Sequence, residues 1–220
     1  MSRHLQKEIE LLKKKLLQLG GRVENAVRDS IVSLDKRDIQ LAVRVIDEDV
    51  QVDDMEVEIE EDCLKILALH QPVAIDLRFI VAVLKINSDL ERIGDLAVNI
   101  AGRSADLSGK HEIAIDFDFV LMSEMVQQML KSSLDSLVNM SFELARKVRE
   151  SDDRVDSMNE KAFEVVQERI RGCPQQMENL IHFLSISRHL ERIADHATNI
   201  AEDVIYMTEG EIVRHRASSC

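Results

Sequence analysis

The chain has 220 residues, with 41 acidic against 28 basic side chains and a net charge of −13, which argues against the clustered basic surface that direct DNA or RNA binding needs. Hydrophobic residues make up 45% but aromatics only 3%, and seven glycines and two prolines leave few turns, so the expected fold is all-α with long helices and an aliphatic core. The separated Cys63, Cys173 and Cys220 form no CxxC pair, which fits a reducing cytoplasm and argues against a disulfide framework or a thiolate zinc site.

The charged N-terminal stretch lacks a signal-peptide apolar core, and the longest apolar run, Phe79 to Leu84, is too short to span a bilayer, so a cytoplasmic location is expected. From about Arg3 to Ser33, Leu5, Ile9, Leu12, Leu16, Leu19, Val23, Ala26 and Ser30 recur at helical steps. Gly20 and Gly21 interrupt this pattern as a kink or as tolerated weak points. Lys36 to Asp38 reads as a short connection with Asp38 as a helix cap. A second helix is expected from about Ile39 to Leu69, on a core stripe of Leu41, Val45, Val52, Met55, Ile59, Cys63 and Ile66. A third runs from about Val73 to Leu107, after Pro72, and Ser108 to Asp116 then breaks the periodicity. The second half repeats the plan, with helices from Phe117 to about Glu150, from Ser151 to about Arg171, and from Pro174 to about Met207. The two prolines are read as opening the last helix of each half, where a missing N–H costs nothing. These marks divide the chain into a three-helix bundle over 1–109, a second over 110–210, and a partly disordered tail over 211–220.

An internal repeat supports this division. Leu90 to Ala101 reads LERIGDLAVNIA and Leu190 to Ala201 reads LERIADHATNIA, identical at nine of twelve positions. Each copy sets two carboxylates one turn apart on a helix face, Glu91 with Asp95 and Glu191 with Asp195, followed a turn later by Asn99 or Asn199. A second signature also recurs. Asp49, Val52, Asp53 and Met55 match Asp152, Val155, Asp156 and Met158, so each half carries one acid pair on its middle helix and one on its last. Antiparallel neighbours in a bundle would bring the two pairs side by side.

A lone pair of acids at this spacing usually marks a solvated helix face. At about 100° per residue Glu91 and Asp95 point away from the Ile86, Leu90, Ile93 and Ala97 stripe, which places them on the outside of their own bundle. Their recurrence in both halves, inside the best-kept part of each repeat, points beyond that reading. Four carboxylates on one face repel one another, and a cation relieves the repulsion. Oxygen donors suit hard ions. The metal candidates are therefore Asp49, Asp53, Glu91, Asp95, Asp152, Asp156, Glu191 and Asp195, with Asn99, Asn199, Arg92 and Arg192 in support. His196 adjoins only the second set. A buried di-iron oxidase is disfavoured, because no His follows a Glu by three residues and the acids lie off the core stripe. Nucleotide-binding, hydrolase and metalloprotease motifs are absent, so no enzyme is expected.

Gln71-Pro72-Val73-Ala74, Asp76-Leu77-Arg78, Leu90 to Asp95 and Asn99 to Ala101, together with the second copy over Leu190 to Ala201, resemble the PhoU family of bacterial phosphate-transport regulators. The resemblance covers all but the tail, although Cys173-Pro174-Gln175-Gln176 departs from the Gln-Pro-Val-Ala pattern of the first half. It implies two similar three-helix bundles joined end to end. It also implies a negative regulator of the phosphate-starvation response and modulator of phosphate uptake. Such a protein works as an adaptor between the ATPase subunit of a phosphate ABC transporter and a sensor histidine kinase, and reaches the membrane only through these partners. The family's acid motifs bind metal, here iron, zinc, manganese or magnesium on the outer faces, and the alternative function is a carboxylate-ligated iron store or oxidase. Apolar positions such as Leu77 and Leu84 are candidates for seeding a homodimer.

Overall fold

A computed structural model describes residues 3–111 and 113–209, and the expected tail over 211–220 lies outside them. The order is α1 (Arg3–Lys36), α2 (Ile39–Glu48), α3 (Val50–His70), α4 (Ile75–Ser108), α5 (Phe119–Asn139), α6 (Phe142–Gly172), a 3₁₀ turn at Pro174–Gln176 and α7 (Met177–Glu209). The all-α architecture of two tandem, sequence-related bundles is as the sequence indicates. The rod expected over Ile39 to Leu69 breaks at Asp49, whose backbone N–H donates to the Ile46 carbonyl and so tightens one turn between α2 and α3.

The polar termini are closed by side chains. The Asp38 carboxylate accepts from the Leu41 N–H at 3.0 Å, Asp118 from Leu121 at 2.8 Å and Ser141 from Leu144 at 3.3 Å, each cap contributing about 1 kcal/mol. Arg37, in the left-handed region at φ 52°, turns its guanidinium onto the end of α4. Its Nη2 donates to the carbonyls of Leu107 at 2.9 Å and Ser108 at 3.2 Å, and to that of Lys110, at the end of the helix where carbonyls lack i+4 partners.

Two boundaries differ from the sequence reading. The turn between the first two helices of the second half falls at Met140-Ser141, not at Glu150-Ser151, and Met140 takes φ 48° there. Pro174 does stand at the start of its 3₁₀ turn, but Pro72 is buried outside α4, which begins at Ile75. Gln71 caps α3 in the left-handed region instead.

The predicted stripe of α1 is the core. Leu12, Leu16, Leu19 and Val23 are essentially fully buried, each contributing about 1.5–3 kcal/mol by leaving water. α1 passes through both glycines as continuous helix. Gly20 lies under α5, where an added Cβ would meet Leu134 Cδ1 at 2.7 Å, whereas Gly21 faces open space. Gly20 thus permits close helix approach and does not mark a kink.

The halves meet along their sides as well as in sequence. α4 and α7 run antiparallel, as the pairs Lys85–Asp203 (3.2 Å), Asp89–His196 (2.8 Å) and Lys110–Glu178 (2.8 Å) show along their length. The implied end-to-end junction is therefore a lateral one. One hydrophobic cluster runs through both halves and includes Ile93 and Ile193 from the two repeated motifs. Packing on both flanks leaves α4 and α7 only a narrow polar strip each.

Candidate functional site

That strip carries the repeated acids. In the first half, Asp49 sits at the α2–α3 break and Asp53 one turn into α3, and both lie within electrostatic reach of the α4 pair. Burial first, then repulsion from Asp53 and Asp95, pushes the Asp49 carboxyl up to about 6. Glu91 is also raised, by burial and then by Asp95, with Arg92 opposing and Asp53 and Glu56 adding repulsion. The second half builds the same arrangement between α6 and α7. Asp152 is pushed up to about 6 by burial and then by Asp156 and Asp195, and the Thr198 hydroxyl opposes this. Glu191 is raised by burial and Asp195, and Asp195 by burial and Asp156.

The sequence-predicted pairs thus come together across neighbouring helices in both halves. Their placement differs in depth from the outer face that helical geometry implied. The Glu91 side chain retains 23% of its accessible area and Glu191 only 14%, because α3 and α6 cover one side of the strip. Asp53 and Asp156 are exposed.

The charges around the clusters are not equivalent. Arg92 pairs with both acids of its repeat, with Nε 3.3 Å from Glu91 Oε2 and Nη1 3.1 Å from Asp95 Oδ2. In the second half it is Arg188, one turn earlier, that reaches Glu191 Oε1 at 3.0 Å. Glu191 Oε2 and Asp152 Oδ1 are buried there without a hydrogen-bond partner. Asn99 is exposed, whereas Asn199 donates to Asp89 at 3.5 Å. His196 is committed to the same Asp89 carboxylate, so it ties α7 to α4.

Two positioning contacts escape sequence reading. Asn87, on the buried face of α4, donates from Nδ2 to the Glu56 carbonyl at 2.9 Å and its carboxylate at 3.2 Å. Ser187 donates to Asn159 Oδ1 at 2.7 Å at the corresponding place in the second half. Each ties the middle helix to the last helix one turn before the α4 or α7 acids. A polar residue beside the apolar stripe, present in both copies but as different residue types, is the only signal the sequence offers.

The donor set suits a hard cation in type and charge: carboxylates only, mutually repelling, with two buried oxygens unpaired in the second half. Among the described residues, no three His, Cys, Asp or Glu side chains converge closely enough to hold a metal ion as they stand. Closing a coordination shell would take carboxylate rotation. Cys63 is buried, with its thiol pushed up to about 12 by burial, and it contributes no thiolate.

The molecule is an all-helical twofold repeat with paired carboxylate strips, and among the described residues no helix is long and apolar enough to cross a membrane. A sequence profile of the PhoU domain matches residues 16–104 and again 119–204. The chain belongs to the PhoU family. It is 39% identical over 210 residues to the phosphate-specific transport system accessory protein PhoU homolog of Aquifex aeolicus, covering 96% of this chain and 95% of that one. It is 37% identical to the Pseudomonas aeruginosa homolog, over 98% of this chain and 89% of its relative. Among solved structures, PhoU from P. aeruginosa superposes with a TM-score of 0.90 at 36% identity, over 94% of this chain and 99% of that one. The phosphate transport system regulatory protein PhoU from Streptococcus pneumoniae gives 0.85 at 28%, over 95% and 99%.

Proposed function

We propose that the chain is a non-enzymatic cytoplasmic adaptor that restrains the phosphate-starvation response and modulates phosphate uptake. Its partners in this reading are the ATPase subunit of a phosphate ABC transporter and a phosphate-sensing histidine kinase, and it meets the membrane only through them. The observation that carries the reading is similarity along nearly the whole chain to phosphate-specific transport system accessory proteins. The long exposed helix faces offer docking surface. For a homodimer, Leu77 is exposed, whereas Leu84 packs partly against the core and offers less. The test is alkaline-phosphatase activity at high phosphate in a deletion strain with and without the gene restored. High activity in the deletion, lowered by restoration, is expected. Low activity in the deletion itself would overturn the repressor role.

A second reading concerns the acid strips and is favoured by the unpaired buried oxygens of Asp152 and Glu191. In it, Asp152, Asp156, Glu191 and Asp195 hold a hard cation, with Asp49, Asp53, Glu91 and Asp95 as the homologous set. The cation would supply positive charge where four carboxylates repel, and so would cross-link the middle helix to the last. Iron, manganese, magnesium and zinc are the candidates. An iron store or oxidase would further show turnover with added Fe(II), and a protein without such turnover is not one.

A further inference from the structure

The outer face of α2 and α3 carries a second apolar stripe that the bundle does not use. Ile39, Val43, Ile46, Val50, Val57 and Leu64 are all exposed, retaining 37–58% of their accessible area. Four of them, Val43, Val50, Val57 and Leu64, are spaced by seven, and Ile39 and Ile46 fall at the intervening heptad position. The core residues of α3, Val52, Ile59 and Cys63, lie on the opposite side from Val50, Val57 and Leu64, and Val45 is buried in α2. Within α3, at about 100° per residue, the outer row is centred well over a right angle away from its core residues. β-Branched residues at exposed helix positions are poorer helix formers than the Lys, Glu or Gln that would serve solubility.

The repeat supplies the control. The core positions are kept in the second half 103 residues on: Val45 by Val148, Val52 by Val155, Cys63 by Val166, all buried. The outer positions are not. Val43, Val50, Val57 and Leu64 become Arg146, Asp153, Glu160 and Gln167, all exposed. The fold therefore accepts polar residues on this face, and the apolar stripe of the first half has no role inside the bundle.

Its borders say what fits it. Along α3 the Ile39–Ile46 line continues as Asp53 and Glu60, which border the Val50, Val57 and Leu64 row on one side, with Asp47, Asp54 and Glu61 on the other, all exposed, and Lys65 pairs with Glu61 at 3.3 Å. No Lys or Arg occurs between Asp47 and Asp62. A second copy of the same face would set acid against acid, and an anionic bilayer would be repelled likewise. We propose that this face is a docking groove for a basic amphipathic helix of a partner protein, one with an apolar heptad seam bordered by Lys or Arg. Apolar burial would give affinity, and the acidic borders would give register and choice of partner. This deepens the adaptor reading by naming the kind of surface it recognises.

The test uses the full chain and two designed 28-residue heptad peptides of equal helicity and seam, one bordered by Lys and one by Glu. Fluorescence anisotropy should show binding of the Lys peptide only, weakening as salt rises. The triple variant V43S/V50S/V57S should bind it at least tenfold more weakly while keeping its circular dichroism and melting midpoint. The mirror variant E160V should leave binding unchanged. Equal binding of both peptides, no binding of either, or wild-type binding by the triple variant would each overturn the proposal. So would a concentration-dependent dimer in sedimentation that the triple variant abolishes, because the stripe would then be a self-association face. These readouts stand apart from the phosphatase assay. A chain that fails to repress but binds the Lys peptide through the stripe defeats the repressor role alone, and one that represses without using the stripe defeats only this surface.

Discussion

The two acid clusters share a motif, a helix pair and a fold position, yet they are not electrostatically alike. In the first, Arg92 lies across Glu91 and Asp95 and supplies a positive charge from within. In the second, Arg188 reaches one oxygen of Glu191, while Glu191 Oε2 and Asp152 Oδ1 stay buried and unpaired. A duplicated motif thus need not give duplicated chemistry. The difference lies in pairing and not in the number of nearby charges, since Arg188, Arg192 and His196 all act on the second cluster, and its unpaired oxygens make it the better candidate for an external cation.

The largest expected effect follows from that asymmetry. Asp152→Asn with Glu191→Gln should lower Mn²⁺ affinity, followed by the loss of free-ion signal in electron paramagnetic resonance, by about tenfold or more, since it removes two oxygen donors and their charge. Asp49→Asn with Glu91→Gln should change it by a smaller factor. Equal losses from the two double variants would erase the distinction between the halves.

Removing a carboxylate raised by burial and acidic neighbours should also stabilise the metal-free protein. Asp152 is raised to about 6 in the folded chain, against about 3.9 when unfolded. The folded state therefore binds the extra proton between these values, and its stability from this group is full below about pH 4 and falls as pH rises to about 6. Asp152→Asn should flatten that fall and raise stability at pH 7 by about 1–2 kcal/mol, read from urea melts at pH 4.5 and 7. Added cation should stabilise the wild type at pH 7 more than the variant. A variant less stable than wild type at pH 7 in chelator would show that Asp152 is satisfied after all.

A smaller effect is expected at Arg92. Arg92→Ala should cost at most about 1 kcal/mol, because the guanidinium is largely exposed, but should tighten cation binding at the first cluster several-fold. Arg192→Ala should change the second cluster by less, because Arg192 acts on Glu191 and Asp195 alongside Arg188 and makes no direct ion pair with either. If Arg92→Ala loosens cation binding instead, the arginine orders the carboxylates for the ion and does not replace it.

The sequence carried the helices, the repeat and the pairing of acids across the middle and last helices, because each depends on spacing along one chain. The Asp38 turn was legible from its capping residue. The matching turn at Met140-Ser141 was hidden, since Leu134, Leu137, Met140 and Leu144 keep helical spacing through it. The offset of 103 residues that aligns Asp49 with Asp152 also carries Asp38 to Ser141, and would have located it. What spacing cannot supply is which neighbour covers a side chain. The partial burial of Glu191, the two-acid grip of Arg92, the capture of His196 by Asp89 and the uncovered face of α2 and α3 all depend on lateral packing.

The finest difference between the clusters is one methyl group. Gly94 occupies the place that Ala194 takes in the second repeat. A Cβ on Gly94 would lie 3.2 Å from Val52 Cγ1 and 3.3 Å from Asp49 Oδ1, so one of the two must give by a few tenths of an ångström. Replacing a mid-helix glycine by alanine gains roughly 0.5–1 kcal/mol of backbone entropy, which opposes the crowding. Gly94→Ala should therefore leave the melting midpoint nearly unchanged while displacing the Asp49 carboxylate, which would appear as a shift in its NMR titration midpoint. Ala194→Gly meets no such compensation and should cost roughly 0.5–1 kcal/mol. If Gly94→Ala stabilises by the full helix-propensity gain and Asp49 titrates as before, the close approach of α4 to the α2–α3 break does not hold that carboxylate in place, and the first cluster is tuned by Arg92 alone.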